Sequence, residues 1–113
     1  MKYLLLIYGD RTADAAPDPE MHRDYMQFTQ EIAESGEMLG GDALQSVDTA
    51  TSVRVRDGKR TTTDGPFAET KEVLGGYYYV DVKDLDRAIE LAGKIPGARR
   101  GTVEVRPVLE IPV

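Results

Sequence analysis

Two short segments of this chain are apolar at nearly every position, and this pattern constrains the fold more than any other feature. The first is KYLLLIY, residues 2–8, and the second is GYYYVDV, residues 76–82. Side chains alternate between the two faces of a β-strand, so an unbroken apolar run predicts a strand covered on both sides. A fold for this chain must therefore cover both faces of a sheet.

Two amphipathic helices are predicted to cover one of those faces. The first follows Asp18, a typical N-cap with proline next to it, and ends at Gly36. The second follows the cap Asp84 and ends at the Pro-Gly pair of residues 96–97. Both carry apolar residues at helical spacing, whereas residues 9–18 between the first strand and the first helix read as a polar loop.

The remaining segments predict strands. Residues 37–44 and 102–108 have strand character, and TSVRVR and KRTTT flank Asp57-Gly58, which is a strong hairpin signal. The order is β-α-β, hairpin, β-α-β, within a single domain of residues 1–113. This order predicts an α+β fold of ferredoxin-like type, with an antiparallel sheet and two helices on one face. The second face then needs a partner, and a second copy of the sheet is the simplest one, giving a homodimer joined through sheet faces.

Composition excludes several classes of function. The formal net charge of −6 disfavours binding to nucleic acid, and the local basic residues 54–60 read as a solvated hairpin tip. The absence of cysteine removes disulfides and thiolate chemistry and fits a reducing compartment. Neither a signal peptide nor a membrane helix is indicated, so we expect a soluble, cytoplasmic protein. One histidine with scattered carboxylates is no transition-metal signature, and no cofactor fingerprint is present.

The segment TDGPFAETKE, residues 63–72, carries a resemblance to a known family. Together with TSVRVRDG before it, LGGYYYVDVKDLDRAIELAGKIPGA after it and GTVEVRPV near the end, it resembles the DGPF branch of the YCII-related proteins. The resemblance implies a dimeric α/β barrel built from ferredoxin-like subunits. It implies no general activity, but some members lie beside, or are fused to, extracytoplasmic-type sigma factors. Related members include a dehydrochlorinase.

The resemblance also implies a histidine–aspartate pair near the first helix. Counted back from Gly36, the family's histidine position falls on Tyr25 in this chain. The single histidine, His22, lies three residues earlier and so on roughly the same helix face. We therefore regard His22 and Tyr25 as candidate catalytic residues, and the pKa near ~6.5 of an unperturbed histidine suits proton transfer at neutral pH.

Asp64 is the third candidate catalytic residue. It precedes Gly65 and Pro66, whose backbones form a rigid turn that would aim the carboxylate into a cleft. The alternative is structural. An aspartate at this place often binds a backbone N–H two residues on in an Asx turn, and Phe67 would anchor the loop in the core.

Three further residues are candidate ligand-binding groups. Glu104 and Arg106 share one face of the closing strand, and either this face borders solvent or the two form ion pairs, with Arg54 as another partner. The remaining alternative is that they line a site for a small anionic ligand. The charged stretch of Glu69, Lys71 and Glu72 reads as solvated or ion-paired.

Three functions remain open at this point. The first is a small-molecule enzyme with acid–base or elimination chemistry, in a pocket between the first helix, the sheet and the DGPF segment. The second is a ligand-sensing or regulatory module that serves a sigma factor, and the third is a structural dimer partner. Convergence of Asp64, His22 and Tyr25 in one deep pocket would favour the enzyme. A deep apolar pocket without titratable groups would favour the sensing module.

Overall fold

A computed structural model describes residues 1–10 and 18–112, so most of the loop predicted at residues 9–18 lies outside the described residues. The main sheet is antiparallel and has the order β2-β5-β1-β6, while β3 and β4 form a separate two-stranded sheet. The elements are β1 (Lys2–Asp10), α1 (Pro19–Glu34), β2 (Met38–Ala43), β3 (Thr51–Arg56), β4 (Lys59–Asp64), β5 (Glu72–Asp81), α2 (Leu85–Lys94) and β6 (Thr102–Pro107). Short 3-10 turns occur at Val47–Thr49 and Pro96–Arg99. The α+β fold and its ferredoxin-like arrangement of helices and sheet are as predicted.

Both helices begin at the predicted caps. The Asp18 carboxylate accepts a hydrogen bond from the backbone N–H of Glu20, and the Asp84 carboxylate accepts one from that of Arg87. These bonds satisfy N–H groups that have no partner within a helix. Gly36 follows α1 with a φ of +82°, a left-handed conformation that glycine adopts without steric cost. None of the helices in the described part of the chain is both long and apolar enough to cross a membrane.

One face of the main sheet is covered by both helices and forms the core. Leu5 of β1 pairs with Tyr78 of β5, and both side chains are buried. Phe28 of α1 meets the Tyr78 ring edge-on, with ring centroids 5.1 Å apart, and the Thr29 hydroxyl hydrogen-bonds the Tyr78 hydroxyl at 2.7 Å. Leu91 of α2 lies in the same buried cluster. Large apolar side chains therefore close this face within a single chain.

The opposite face of the same sheet is covered by neither helix of the described residues, and we call it the open face. Leu4 pairs with Tyr79 and Leu6 with Tyr77, and all four side chains are half-buried. The Tyr77 hydroxyl donates to the Asp42 carboxylate at 2.8 Å. The alternation of β1 and β5 thus gives one covered apolar face and one uncovered apolar face. The homodimer predicted from this pattern stays a prediction.

The β3–β4 hairpin projects from the main sheet. Its turn at Asp57 and Gly58 has positive φ at both residues, +52° and +75°, as a two-residue type I′ turn requires, and this confirms the hairpin predicted there. Every residue of the two strands except Ser52 is exposed. The molecule measures 46 × 43 × 19 Å and its radius of gyration is 15.9 Å. A compact domain of this length would have about 13 Å, so the hairpin makes the chain unusually extended.

Candidate functional site

The DGPF loop, residues 64–71, joins the hairpin to β5 and is held by its backbone. Gly65 adopts a φ of +92°, which strongly favours glycine at this position. Its N–H donates to the carbonyl of Ala50 at 2.6 Å, and its carbonyl accepts from the Ser52 hydroxyl at 2.8 Å. These two bonds fix the start of the loop against the root of the hairpin.

The Asx turn expected at Asp64 is not formed, and the reason lies in the sequence. The residue two positions on is Pro66, which has no backbone N–H to donate. The Asp64 side chain is exposed and has no hydrogen-bond or ion-pair partner among residues 1–10 and 18–112. The structural explanation for this carboxylate was therefore wrong, and its role in a site stays a prediction.

The expectation that Phe67 anchors the loop in the core is also wrong. Its side chain is 79% exposed, whereas the other phenylalanine and all the tyrosines of the described chain are buried or half-buried. Pro66, next to it, is half-buried. The loop is therefore positioned by backbone hydrogen bonds rather than by an aromatic anchor, and the phenyl ring remains at the surface.

A cavity of about 590 Å³ lies between the DGPF loop, the 3-10 turn after β2 and the ends of β1 and β5. Its walls are mainly apolar, and its apolar lining includes Leu44, Val47, Phe67, Val73 and Leu74. Ligand sites of this size are typically concave and apolar with a few polar groups. This cavity is the best-formed candidate for a small-molecule site at the DGPF loop.

Six of the fourteen residues that line the cavity have polar side chains: Tyr8, Gln45, Ser46, Thr49, Thr70 and Glu72. The Ser46 hydroxyl accepts from the Asp48 N–H, and the Thr49 hydroxyl donates to the Ser46 carbonyl, so both serve their own turn. Glu72 is the one charged residue lining this cavity. Its Oε1 accepts from the Thr102 hydroxyl at 2.9 Å, and its Oε2 has no donor within the described ranges. The Tyr8 hydroxyl, which also belongs to a lining residue, likewise has no hydrogen-bond partner in the described residues.

His22 and Tyr25 lie elsewhere, in a shallow groove along α1 that also includes Met26. His22 is exposed, and Tyr25 is half-buried, which raises the pKa of its phenol, while a hydrogen bond with the Gly97 backbone opposes that rise. Asp64 is not among the residues of this groove, and no residue of α1 lines the cavity at the DGPF loop. The structure thus brings His22 and Tyr25 together within one chain but does not place Asp64 in their groove. Their joint catalytic role stays a prediction.

The predicted ligand-binding residues are distributed over both sheets. Glu104 and Arg106 form an ion pair, with Arg106 Nε 2.9 Å from Glu104 Oε2, and both side chains also border solvent. Their role in binding an anionic ligand stays a prediction. Arg54 lies on the hairpin, exposed, and its side chain has no partner in the part of the chain that the structure describes. The described residues also contain no group of three or more histidines and carboxylates placed to hold a metal ion.

Comparison with known proteins identifies the family of this chain. The model of the YCII-related domain matches residues 1–112. The chain belongs to the YCII-related family. It is also similar to an uncharacterized protein of Rhizobium meliloti, with 33% identity over 114 residues that cover 96% of this chain and 92% of that protein. The family resemblance read from the sequence is confirmed, and neither comparison names an activity.

The cavity residues of this YCII-related protein were not predicted from sequence. Tyr8, Val47 and Leu74 come from three separate segments, and only the fold brings them together. One signal for them was available. Ala43 pairs directly with Gly76, yet residues 44–71 separate the two strands, where a two-residue turn would suffice. Binding residues are disproportionately found on such connections between the elements of a rigid scaffold.

Proposed function

We propose that this YCII-related protein is a binding module for a small, largely apolar molecule. The proposal is supported by one observation: the cavity beside the DGPF loop is apolar, and Glu72 is its one charged lining residue. Catalytic sites usually gather several titratable groups, whereas binding sites need apolar walls and a few orienting groups. The lining of this cavity therefore favours binding without catalysis, which is the sensing alternative considered from the sequence.

The charge of the cavity also indicates the class of ligand. A carboxylate with one unpaired oxygen accepts hydrogen bonds and repels anions. A neutral or cationic molecule with one donor group, set against Glu72 and the Tyr8 hydroxyl, suits this lining. The small anionic ligand predicted for Arg54 and Arg106 gains no support from this cavity, because neither residue lines it.

Several finer assignments extend this proposal. The order Asp64-Gly65-Pro66-Phe67 supports membership of the DGPF branch. The apolar open face supports a homodimer joined through its sheets into a dimeric α/β barrel. The lack of cysteine fits a cytoplasmic protein. Service to an extracytoplasmic-type sigma factor is a further extension, and it predicts that the two proteins copurify in a ligand-dependent way.

A second candidate function is acid–base catalysis by His22, Tyr25 and Asp64. It is favoured by the shared groove of His22 and Tyr25 and by the unpaired carboxylate of Asp64. Because His22 is the single histidine, its imidazole NMR signals can be assigned without ambiguity. Asp64→Asn should shift those signals if the carboxylate of either subunit lies beside the ring. Unchanged signals would contradict a catalytic group built from these residues.

Binding of Nile red, a neutral apolar fluorophore, tests the main proposal. We expect saturable binding, and we expect Val47→Asp to weaken it at least about tenfold by placing a charge in the apolar wall. Leu109→Asp is the matched control, since Leu109 is an exposed apolar residue outside the cavity lining. Anilinonaphthalene sulfonate, which is anionic, should bind more weakly than Nile red. Equal binding to wild type and Val47→Asp would show that this cavity is not the site.

A further inference from the structure

Two neighbouring valines of the β3–β4 hairpin are exposed, and nothing in the described chain covers them. Val53 and Val55 are 58% and 59% exposed. Val53 pairs with Thr62, and Val55 pairs with Arg60, so these four side chains lie on one side of the hairpin. Two exposed valines on a projecting hairpin are costly unless another surface packs against them.

The hairpin also differs in charge from the rest of the molecule. Residues 51–64 contain four basic and two acidic side chains, a net charge of +2. The chain as a whole carries −6, so the remaining residues carry −8. The surface that complements this hairpin is therefore the acidic body of another copy of the same chain. At the cavity itself, Glu72 is the one charged lining residue, and its Oε2 has no donor in the described part of the chain.

The cavity at the DGPF loop is open on one side in the single chain. Phe67 at its rim is 79% exposed, and Leu44 is exposed as well. The half-buried side chains of the open face continue the apolar surface away from the loop. One wall of the cavity is therefore missing in the single chain, and what it lacks is a small apolar surface.

The hairpin cannot fold over the cavity of its own chain without breaking the hydrogen bonds at its base. The hydrogen bonds from Gly65 to Ala50 and from Ser52 to Gly65 hold the hairpin and the DGPF loop as one unit. The direction of the hairpin is thus fixed relative to the cavity of its own chain. In a dimer with two-fold symmetry, the hairpin of each chain can pack on the cavity of the other, so that this contact is made twice.

We infer that the β3–β4 hairpin of each chain lies over the cavity of a second copy, where Val53 and Val55 complete the apolar wall of the ligand site. The inference rests on the proposed binding function and on the proposed homodimer. It makes the ligand site a composite of two chains, so that a monomer holds only an open half of it.

A mixing experiment tests whether the hairpin acts on the partner. One variant carries Val53→Asp and Val55→Asp, and the other carries Val47→Asp in the cavity wall. Each alone should lose Nile red binding at least about tenfold. After subunit exchange, a mixed dimer keeps one complete site, formed by the intact cavity of one chain and the intact hairpin of the other. We expect about a quarter of the wild-type sites to return, because random exchange makes half of the dimers mixed.

The outcomes separate this inference from the proposed function. If wild type binds Nile red but the mixture restores nothing, or if the hairpin variant binds as wild type does, the inference is overturned and the cavity proposal survives. Both hairpin substitutions replace exposed side chains, so the variant that carries them should keep the wild-type circular dichroism spectrum.

Cross-linking decides the inference even if wild type binds no Nile red. The chain has no cysteine, so Val55→Cys and Leu74→Cys introduce one thiol each, on differently tagged chains. A short bismaleimide should yield a covalent product that carries both tags. Its absence from a mixture that is dimeric by light scattering would overturn the inference.

Discussion

The two faces of the main sheet are built from the same strands and similar residues, yet only one is closed by the chain itself. On the covered face, Leu5 and Tyr78 belong to the core cluster that includes residues of both helices, and both are buried. One residue along each strand, Leu6 and Tyr77 point to the open face and stay half-buried. Apolar alternation therefore shows that both faces must be covered, but it does not show what covers them.

The two faces should consequently differ in what their side chains stabilise. Residues of the covered face contribute to the free energy of unfolding of one chain, whereas residues of the open face contribute to association with another surface. Matched substitutions on adjacent residues can separate these contributions. Each is best measured by urea unfolding at low and at high protein concentration, since only association depends on concentration.

The largest expected effect is that of Leu5→Ala. Leu5 is fully buried, so removing most of its side chain should lower the free energy of unfolding by about 2–5 kcal/mol at every protein concentration. Leu6→Ala is the matched control on the open face and should cost about 1 kcal/mol at low concentration. At high concentration, its cost should grow as the dimer is lost. Equal, concentration-independent losses for both variants would contradict the distinction between the faces.

Two adjacent glycines of β2 give the next test. A Cβ on Gly41 would lie 2.9 Å from Cδ1 of the Tyr78 ring and 3.0 Å from the carbonyl oxygen of Tyr77. Gly41→Ala should therefore displace the buried ring and cost about 1–3 kcal/mol in the free energy of unfolding.

Gly40→Ala is the control for this substitution. Gly40 pairs with Tyr79 on the open face, and a Cβ there would meet no atom within 4 Å. Alanine restricts the unfolded chain more than glycine does, so this variant should be neutral or stabilise the chain by up to about 1 kcal/mol. A large loss at Gly40 in the monomer would show that the open face is already covered by the chain.

Local signals in the sequence predicted local structure well. The caps Asp18 and Asp84 and the turn at Asp57-Gly58 lie where their short-range chemistry places them. The failure at Asp64 was also local, since an Asx turn needs an N–H that Pro66 lacks. That error was avoidable from the sequence.

The failures at Phe67 and at the cavity have another cause. Whether a loop aromatic is buried depends on what the fold places above it, and no local pattern reports this. Tyr8, Val47 and Leu74 likewise meet only because β1, β5 and the connection after β2 converge. Long-range placement was therefore the part of the candidate site that could not be predicted.

Ion pairs on the two sides of the sheet should also differ in how much they contribute to the free energy of unfolding. On the helix side, Glu37 binds Arg87 through Oε2 to Nε at 2.9 Å and Oε1 to Nη2 at 2.8 Å, with side chains only 17% and 24% exposed. Glu37→Gln should cost about 1–2 kcal/mol in the free energy of unfolding at neutral pH. Glu104→Gln, whose partner Arg106 is 64% exposed, should cost less than about 0.5 kcal/mol.

The pH dependence of unfolding gives an independent check on the Glu37 pair. The hydrogen bonds from Arg87 lower the pKa of Glu37 below its ordinary value of 4.5. A lowered pKa in the folded state means that the stabilisation is present above about pH 4.5 and is lost as the pH falls below it. The difference in the free energy of unfolding between wild type and Glu37→Gln should thus become smaller as the pH is lowered from 6 to 3. A difference that does not narrow at all between pH 6 and pH 3 would mean that the carboxylate charge is not its source.

The smallest expected effect on stability is that of Phe67→Ala, although the ring is large. Its side chain is 79% exposed, so its removal should change the free energy of unfolding by less than about 0.5 kcal/mol at low protein concentration. The same change should weaken Nile red binding several-fold, because the ring forms part of the cavity rim and of the surface that the partner's hairpin would cover. Leu109→Ala, another exposed apolar side chain, should change neither property. A loss of several kcal/mol in the free energy of unfolding at low protein concentration would show instead that Phe67 belongs to the core. The uncovered apolar surface of the single chain would then be smaller than the structure shows.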